Sequence, residues 1–332
     1  RINRVHVHQR VGGDDEEAIR INGLARPDDR IPPAKRTLWP AQPFGPNPPP
    51  RIPDTSLMEE LAYVAATNIV YYLHPSFGFF FEPLYLKPDG VAYRMAAYQT
   101  NEITPPALDP ALVERNSRFW NDLRPRLEQI AGAVRRGVSD ARAVGRWYSR
   151  ALNYWGVQLQ RLSPPQLEEA GRCFELAYRL NPNNLIAGEI NLAFNRSLRQ
   201  GQPRRVETSK ALGALFGIRF RNWNDVLQVS GPIDEPGLCQ DMGEVFLRQS
   251  LPRQAALQLL RVLEVEPGNV DARILLASTF ATVQMHDRVL ETVEAVPFLS
   301  TISTSCFSMW VVLSGSTTMF LDISSTPNII EG

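Results

Sequence analysis

The sequence predicts a mostly α fold: a helical-hairpin solenoid over residues 151–297, preceded by a small α+β unit and a proline-rich extended segment. Three observations carry this. Apolar residues return at helical spacing in blocks that close on Asn-Pro or Glu-Pro. A β-branched and aromatic run around residue 70 is punctuated by glycine and proline. Ten prolines fall between Pro27 and Pro53, and proline both removes a donor and fixes φ, so that stretch reads as extended linker.

The organisation that follows is a linker over 1–55, an α+β unit over 56–96, a helical connector over 97–150, repeats over 151–297 and an atypical tail over 298–332. In the α+β unit, Asp54-Thr55-Ser56 offers N-cap groups before a helix running to about Thr67. Extended runs are expected over 69–73, 79–86 and 91–95, the last two joined by a Lys87-Pro88-Asp89-Gly90 turn. Residues 61–81 carry no formal charge, but Asn68, His74, Pro75 and Gly78 interrupt them. That pattern predicts buried core rather than a membrane span. Pro110 opens the connector helix, which is expected to break at Pro125, and 137–140 should cap the next helix.

The repeat lies in Ala170-x3-Phe174-x2-Ala177 followed by Asn181-Pro182-Asn183-Asn184, and again in Ala255-x3-Leu259-x2-Val262 followed by Glu266-Pro267-Gly268-Asn269. Cys239-x2-Met242-Gly243-x2-Phe246 stands ahead of the second block, and Arg273-x2-Leu276-Ala277-x2-Phe280 opens a third that ends in Val289-x3-Val293-x2-Val296. Each set places its apolar residues on one helical face. These residues resemble the tetratricopeptide repeat, over about 151–184, 236–269 and 270–297. In the first copy the resemblance puts Gln158 at the small position of the first helix and Arg161 at its aromatic one. Between Pro182 and Pro267 the period is interrupted. Helices are expected from Asn191, over 210–220 and over 223–227, with a rigid loop over 231–236.

The resemblance implies a scaffold that binds a protein or peptide along a concave face lined by first helices. The residues expected on that face are Trp155, Gln240, Glu244, Asp271, Ile274 and Ser278.

A second resemblance rests on Tyr71-Tyr72-Leu73-His74-Pro75-Ser76-Phe77-Gly78, Phe81-Glu82-Pro83-Leu84-Tyr85 and Gly90-Val91-Ala92-Tyr93. This stretch is similar to the segment after the last membrane helices of bacterial membrane glycosyltransferase-like proteins of the protein O-mannosyltransferase type. It implies a soluble C-terminal region in the cell envelope, facing away from the cytoplasm, attached to the membrane through segments outside this chain. A glycan joins the expected partners, and the transferase site would lie upstream. The chain starts at Arg1 and reads as a piece of a longer product.

Chemistry is sparse. With 35 basic and 35 acidic residues there is no net charge to draw a nucleic acid. Cys173, Cys239 and Cys306 form no Cys-x-x-Cys pair, and His6-x-His8 lacks a third ligand, so no metal and no cofactor are expected. His74 with Glu82 is the one acid–base pair to weigh, and it defines a rival reading in which 56–96 is a small enzyme domain. A free-standing soluble adaptor is the other rival. His286 is expected exposed in a repeat turn. The Ser/Thr-rich tail, uncharged from 295 to 321, stands open among an edge strand or unordered tail, a membrane anchor and a frame-shifted end.

Overall fold

The computed structural model describes residues 54–73, 82–99, 102–207 and 223–295 of the chain. Residues 1–53 of the linker expected over 1–55, His6, His8, His74, the helix expected over 210–220, Cys306 and the tail over 298–332 lie outside the described residues. Asp54 and Thr55 belong to the first helix rather than to the linker.

Among the described residues the fold is mostly helical with one small sheet, and the chain divides into two units at residues 234 and 235, with 101–104 joining the second. In the first unit, helix α1 (Asp54–Thr67) is followed by β1 (Tyr71–Tyr72), β2 (Leu84–Asp89) and β3 (Ala92–Ala97). The strands form an antiparallel sheet in the order β1-β3-β2, with Tyr71 opposite Arg94 and Lys87 opposite the same Arg94. Alternation sorts the side chains. Leu84 and Met95 are buried, with Leu61, Ala65, Val70 and Tyr72 packed around them. The expected turn is shorter than the sequence suggested: Lys87 and Pro88 remain in β2, and the chain reverses at Gly90, where φ is 65°. Buried Asn116 fixes that turn, accepting from Gly90 N at 2.7 Å and donating to Pro88 O at 3.0 Å.

Helix α2 (Pro110–Arg135) starts with proline at its first turn and with Asp109 accepting from Ala111 N at 3.0 Å. It runs unbroken through Pro125, contrary to expectation. Pro125 faces solvent, so water can take the freed carbonyl. The opposite face is held by Trp120, Leu127, Ala131 and Val134 in the core. Val138 stands at the N-cap of α3 (Ser139–Gln160) and gives no side-chain cap. The boundary drawn between residues 150 and 151 falls inside α3, so connector and first hairpin share one helix.

Helix α4 (Leu167–Leu180) folds back on α3 after the loop 161–166. Leu152, Trp155, Leu159, Ala170, Phe174 and Ala177 join Trp120 and Leu127 in one apolar core. A π-helical turn (Ile186–Asn191) then runs into α5 (Leu192–Arg199), both against α4, and α6 (Trp223–Ser230) packs on α3.

The second unit holds α7 (Pro236–Arg248), α8 (Pro252–Val265), α9 (Val270–Thr282) and α10 (His286–Glu294). Each helix packs on the next, and the first helices α7 and α9 also touch each other. The two hairpin turns are alike in detail. Ser250 and Gln284, one repeat period of about 34 residues apart, both take φ 59°. Leu251 N bonds Phe246 O at 2.9 Å and Met285 N bonds Phe280 O at 3.0 Å.

Among the described residues no helix is long and apolar enough to cross a membrane.

Candidate functional site

Two close approaches set the geometry of the hairpins. In the second unit, a Cβ added at Gly243 would stand 2.8 Å from Leu259 Cγ, so helix α7 lies tight on α8. In the first unit the equivalent contact is made by Gly156, where an added Cβ would stand 2.5 Å from Phe174 Cε1. The close contact therefore lies at Gly156, two positions before Gln158. The loop 161–166 is longer than its counterpart 249–251, which shifts the pattern by two positions. Leu152, Trp155 and Leu159 then match Cys239, Met242 and Phe246, all six of them buried.

That shift corrects one expectation directly. Trp155 is 1% exposed and sits among Phe174, Leu176 and their neighbours, so it packs the hairpin and lines no surface. Arg161 holds no aromatic position either. Its Nε donates to Asp234 Oδ1 at 2.6 Å, and Asp234 is 0% exposed.

The remaining five expected residues lie in the second unit. Gln240 and Glu244 are half-buried one turn apart on α7. Gln240 Oε1 accepts from Asn269 Nδ2 at 3.0 Å, while Asn269 Oδ1 caps α9 at Ala272 N, 2.9 Å away. Gln240 thus ties its hairpin to the next. Glu244 pairs with Arg248 on the surface. On α9, Asp271 is exposed, Ile274 is 42% exposed and Ser278 is half-buried. These sit at i, i+3 and i+7, along one stripe.

The most developed polar constellation was not anticipated. Asn153, Gln160, Asn184, Asn191 and Asn195 are each 1% exposed or less. The first four grip the segment 230–234, and Asn195 Nδ2 supports them by donating to Gln160 Oε1 at 2.8 Å and Leu167 O at 3.0 Å. Asn153 Nδ2, from α3, donates to Ser230 O at 2.8 Å and Pro232 O at 2.9 Å. Asn191 Nδ2 donates to Pro232 O and to Asn153 Oδ1, at 2.9 and 2.8 Å, and its Oδ1 accepts from Asp234 N at 2.9 Å. Asn184 Nδ2 donates to Ser230 O at 3.1 Å. Gln160 Nε2 reaches Asp234 Oδ2 at 2.8 Å. The backbone that leaves α6 is therefore held by amides on α3 and on the π-helical turn before α5. Only Asn195 Oδ1 lacks a partner in this network. The readable signal was a polar residue inside an apolar run, as in Leu152-Asn153-Tyr154-Trp155.

Elsewhere burial suppresses ionisation. Desolvation raises the pKa of the Tyr93 phenol, with Tyr154 adding to the effect. Burial also raises the Tyr154 phenol and the Cys173 thiol, the latter helped by Glu169. These groups stay protonated and are packing residues rather than nucleophiles. Glu82 is half-buried and its proposed partner His74 is outside the described residues. His286 is exposed at the start of α10. Among the described residues no three His, Cys, Asp or Glu side chains cluster as metal ligands.

No protein family, no curated protein and no solved structure matches this chain.

Proposed function

We propose that this chain is a non-catalytic, tetratricopeptide-like scaffold whose first-helix faces hold an extended segment or helix of a partner protein. The observation that carries the reading is the segment 230–234, a stretch of backbone already gripped by Asn153 and Asn191. It supports the view that first-helix side chains here are suited to main-chain recognition. Gln240 stands in the second unit where Asn153 stands in the first, counted from Gly243 and Gly156. The paired left-handed turns at Ser250 and Gln284 support the repeat reading. A partner segment would lie along Gln240, Glu244, Asp271, Ile274 and Ser278.

The wider setting we propose is the soluble, envelope-facing C-terminal part of a bacterial membrane glycosyltransferase-like protein. The order of segments supports it: aromatic hairpin, long helices, then hairpin repeats. The site of sugar transfer would belong to sequence upstream, and a glycan could share the groove with a peptide.

The test is site-specific photo-crosslinking in the producing cell, with a benzophenone residue at Glu244 or Ile274 and a control at exposed Leu290 of α10. The expected result is one discrete adduct from 244 and 274 and none from 290. Equal labelling at all three positions, or none, refutes the groove. Several apolar spans encoded ahead of Arg1 would support the glycosyltransferase setting, whereas their absence leaves the free-standing adaptor.

A further inference from the structure

The three-stranded sheet buries one face and shows the other to solvent, and the exposed face has an unusual make-up. Val70 and Tyr72 turn inward to the Leu84–Met95 cluster, and Val70 O accepts from Met95 N at 2.9 Å, which continues the β1–β3 register. Ile69, Tyr71 and Leu73 alternate with these inward residues, Tyr71 within β1 and the other two flanking it. They are 63%, 51% and 52% exposed. Beside them, on the same face, Arg94 stands opposite both Tyr71 and Lys87. Two cations directly opposite each other across a ladder repel, and a sheet under no other demand avoids the pairing. Lys87 leans over the Tyr85 ring at 5.3 Å. Arg115, exposed on α2, lies close enough to act on the Tyr71 phenol. That phenol's pKa is raised by its hydrogen bond to Asp89, with Arg94 and Arg115 opposing. Asp89 Oδ2 accepts that bond at 2.8 Å. Lys87, Arg94 and Arg115 form no ion pair among the described residues.

We propose that this outer sheet face docks on an anionic lipid surface, with Ile69, Tyr71 and Leu73 entering the headgroup boundary and Lys87, Arg94 and Arg115 contacting acidic headgroups. The occupant follows from charge and shape together. Exposed aliphatic side chains gain nothing against a polyanion in water, and unpaired cations gain nothing against an apolar protein groove. A bilayer interface rewards both, and tyrosine sits well at its boundary. The inference concerns the sheet alone and does not rest on the repeat reading.

The full 332-residue chain is sedimented with vesicles of phosphatidylcholine alone and of an equimolar mixture with phosphatidylglycerol. Sedimentation with the anionic vesicles only, weakened by salt, is expected. The double variant Lys87→Gln with Arg94→Gln should lower the partition coefficient roughly thirty-fold, at about 1 kcal/mol per cation. Leu73→Ser should weaken it as well. Thermal melting monitors folding. If Leu73→Ser melts early, the double variant still decides, since it removes repulsion and leaves the fold intact. Four results overturn the proposal: no sedimentation, equal sedimentation with both vesicles, wild-type partition by the double variant, or a wild-type dimer in light scattering that Leu73→Ser dissolves. The last would make the face a contact between copies.

Discussion

Replacing Gly156 by alanine probes the register of the first hairpin. The added methyl would stand 2.5 Å from Phe174 Cε1, 2.9 Å from Cδ1 and 3.0 Å from Cζ. Carbon atoms in contact prefer roughly 3.5–4.0 Å, so ring or helix must move by about 1 Å. Phe174 is 0% exposed and lies within the apolar core. Overpacking of this kind costs typically ~1–3 kcal/mol. Alanine returns about 1 kcal/mol through its helix preference over glycine. A net loss of up to about 2 kcal/mol follows. At Gly243 the methyl meets the flexible Leu259 side chain at 2.8 Å, so the same change there should cost less. Scanning calorimetry on Gly156→Ala, Gly243→Ala and Gln158→Ala gives the comparison. Phe174→Leu in the Gly156→Ala background should recover part of the loss, a non-additivity expected of touching residues. A raised melting temperature for Gly156→Ala, or a larger loss for Gln158→Ala, would refute the close approach and with it the two-position shift.

Asp234→Ala should destabilise the first unit by about 3 kcal/mol, because it strips Arg161 and Gln160 of a buried carboxylate. Glu128→Ala, which removes the exposed partner of Arg179, should cost under about 1 kcal/mol in the same urea titration. Alkaline pH should destabilise the chain. The folded-state pKa values of Tyr93, Tyr154 and Cys173 lie above their ordinary 10.0, 10.0 and 9.0. The unfolded chain therefore releases these protons first. Stability present below about pH 9 should fall as pH climbs past the unfolded values, by roughly 1.4 kcal/mol per pH unit for each group. Tyr93→Phe should flatten that slope by one group at little cost, since the Tyr93 hydroxyl has no hydrogen-bond partner. Cys173 and Cys239, 1% and 0% exposed, should resist an aromatic disulfide reagent until denaturant is added.

The helices were legible where apolar spacing and a closing proline coincide, as at Phe174 and Leu259. The position of Gly156 was not, because matching the copies by count assumed equal turns, and the loop 161–166 is longer. Trp155 was misplaced for the same reason: a two-residue error turns a helix by more than half a turn and exchanges its inner and outer faces. Pro125 misled because its cost depends on which side of the helix it occupies, and only packing reveals that. Asn153 stood out as a polar residue in an apolar run, but its role and that of Asn191 were not legible. Their partners on 230–234 are main-chain carbonyls some forty to eighty positions away, which carry no side-chain identity to read. On the proposed groove, residues on α7 and α9 were placed from the pattern, while the junction role of Gln240 needed the geometry of Asn269.

The hold on residues 230–234 also bears on chain continuity. Helix α6 and the stretch after it are secured to α3 by Asn153 and by Arg150 Nη1 on Gln228 O at 2.7 Å, and to the π-helical turn by Asn191. None of these bonds needs the peptide link at Arg204-Arg205, where both residues are exposed. A protease that nicks there should leave two fragments that elute as one species and part only in denaturant. The downstream fragment carries its own plug, seated like a cork in the upstream one.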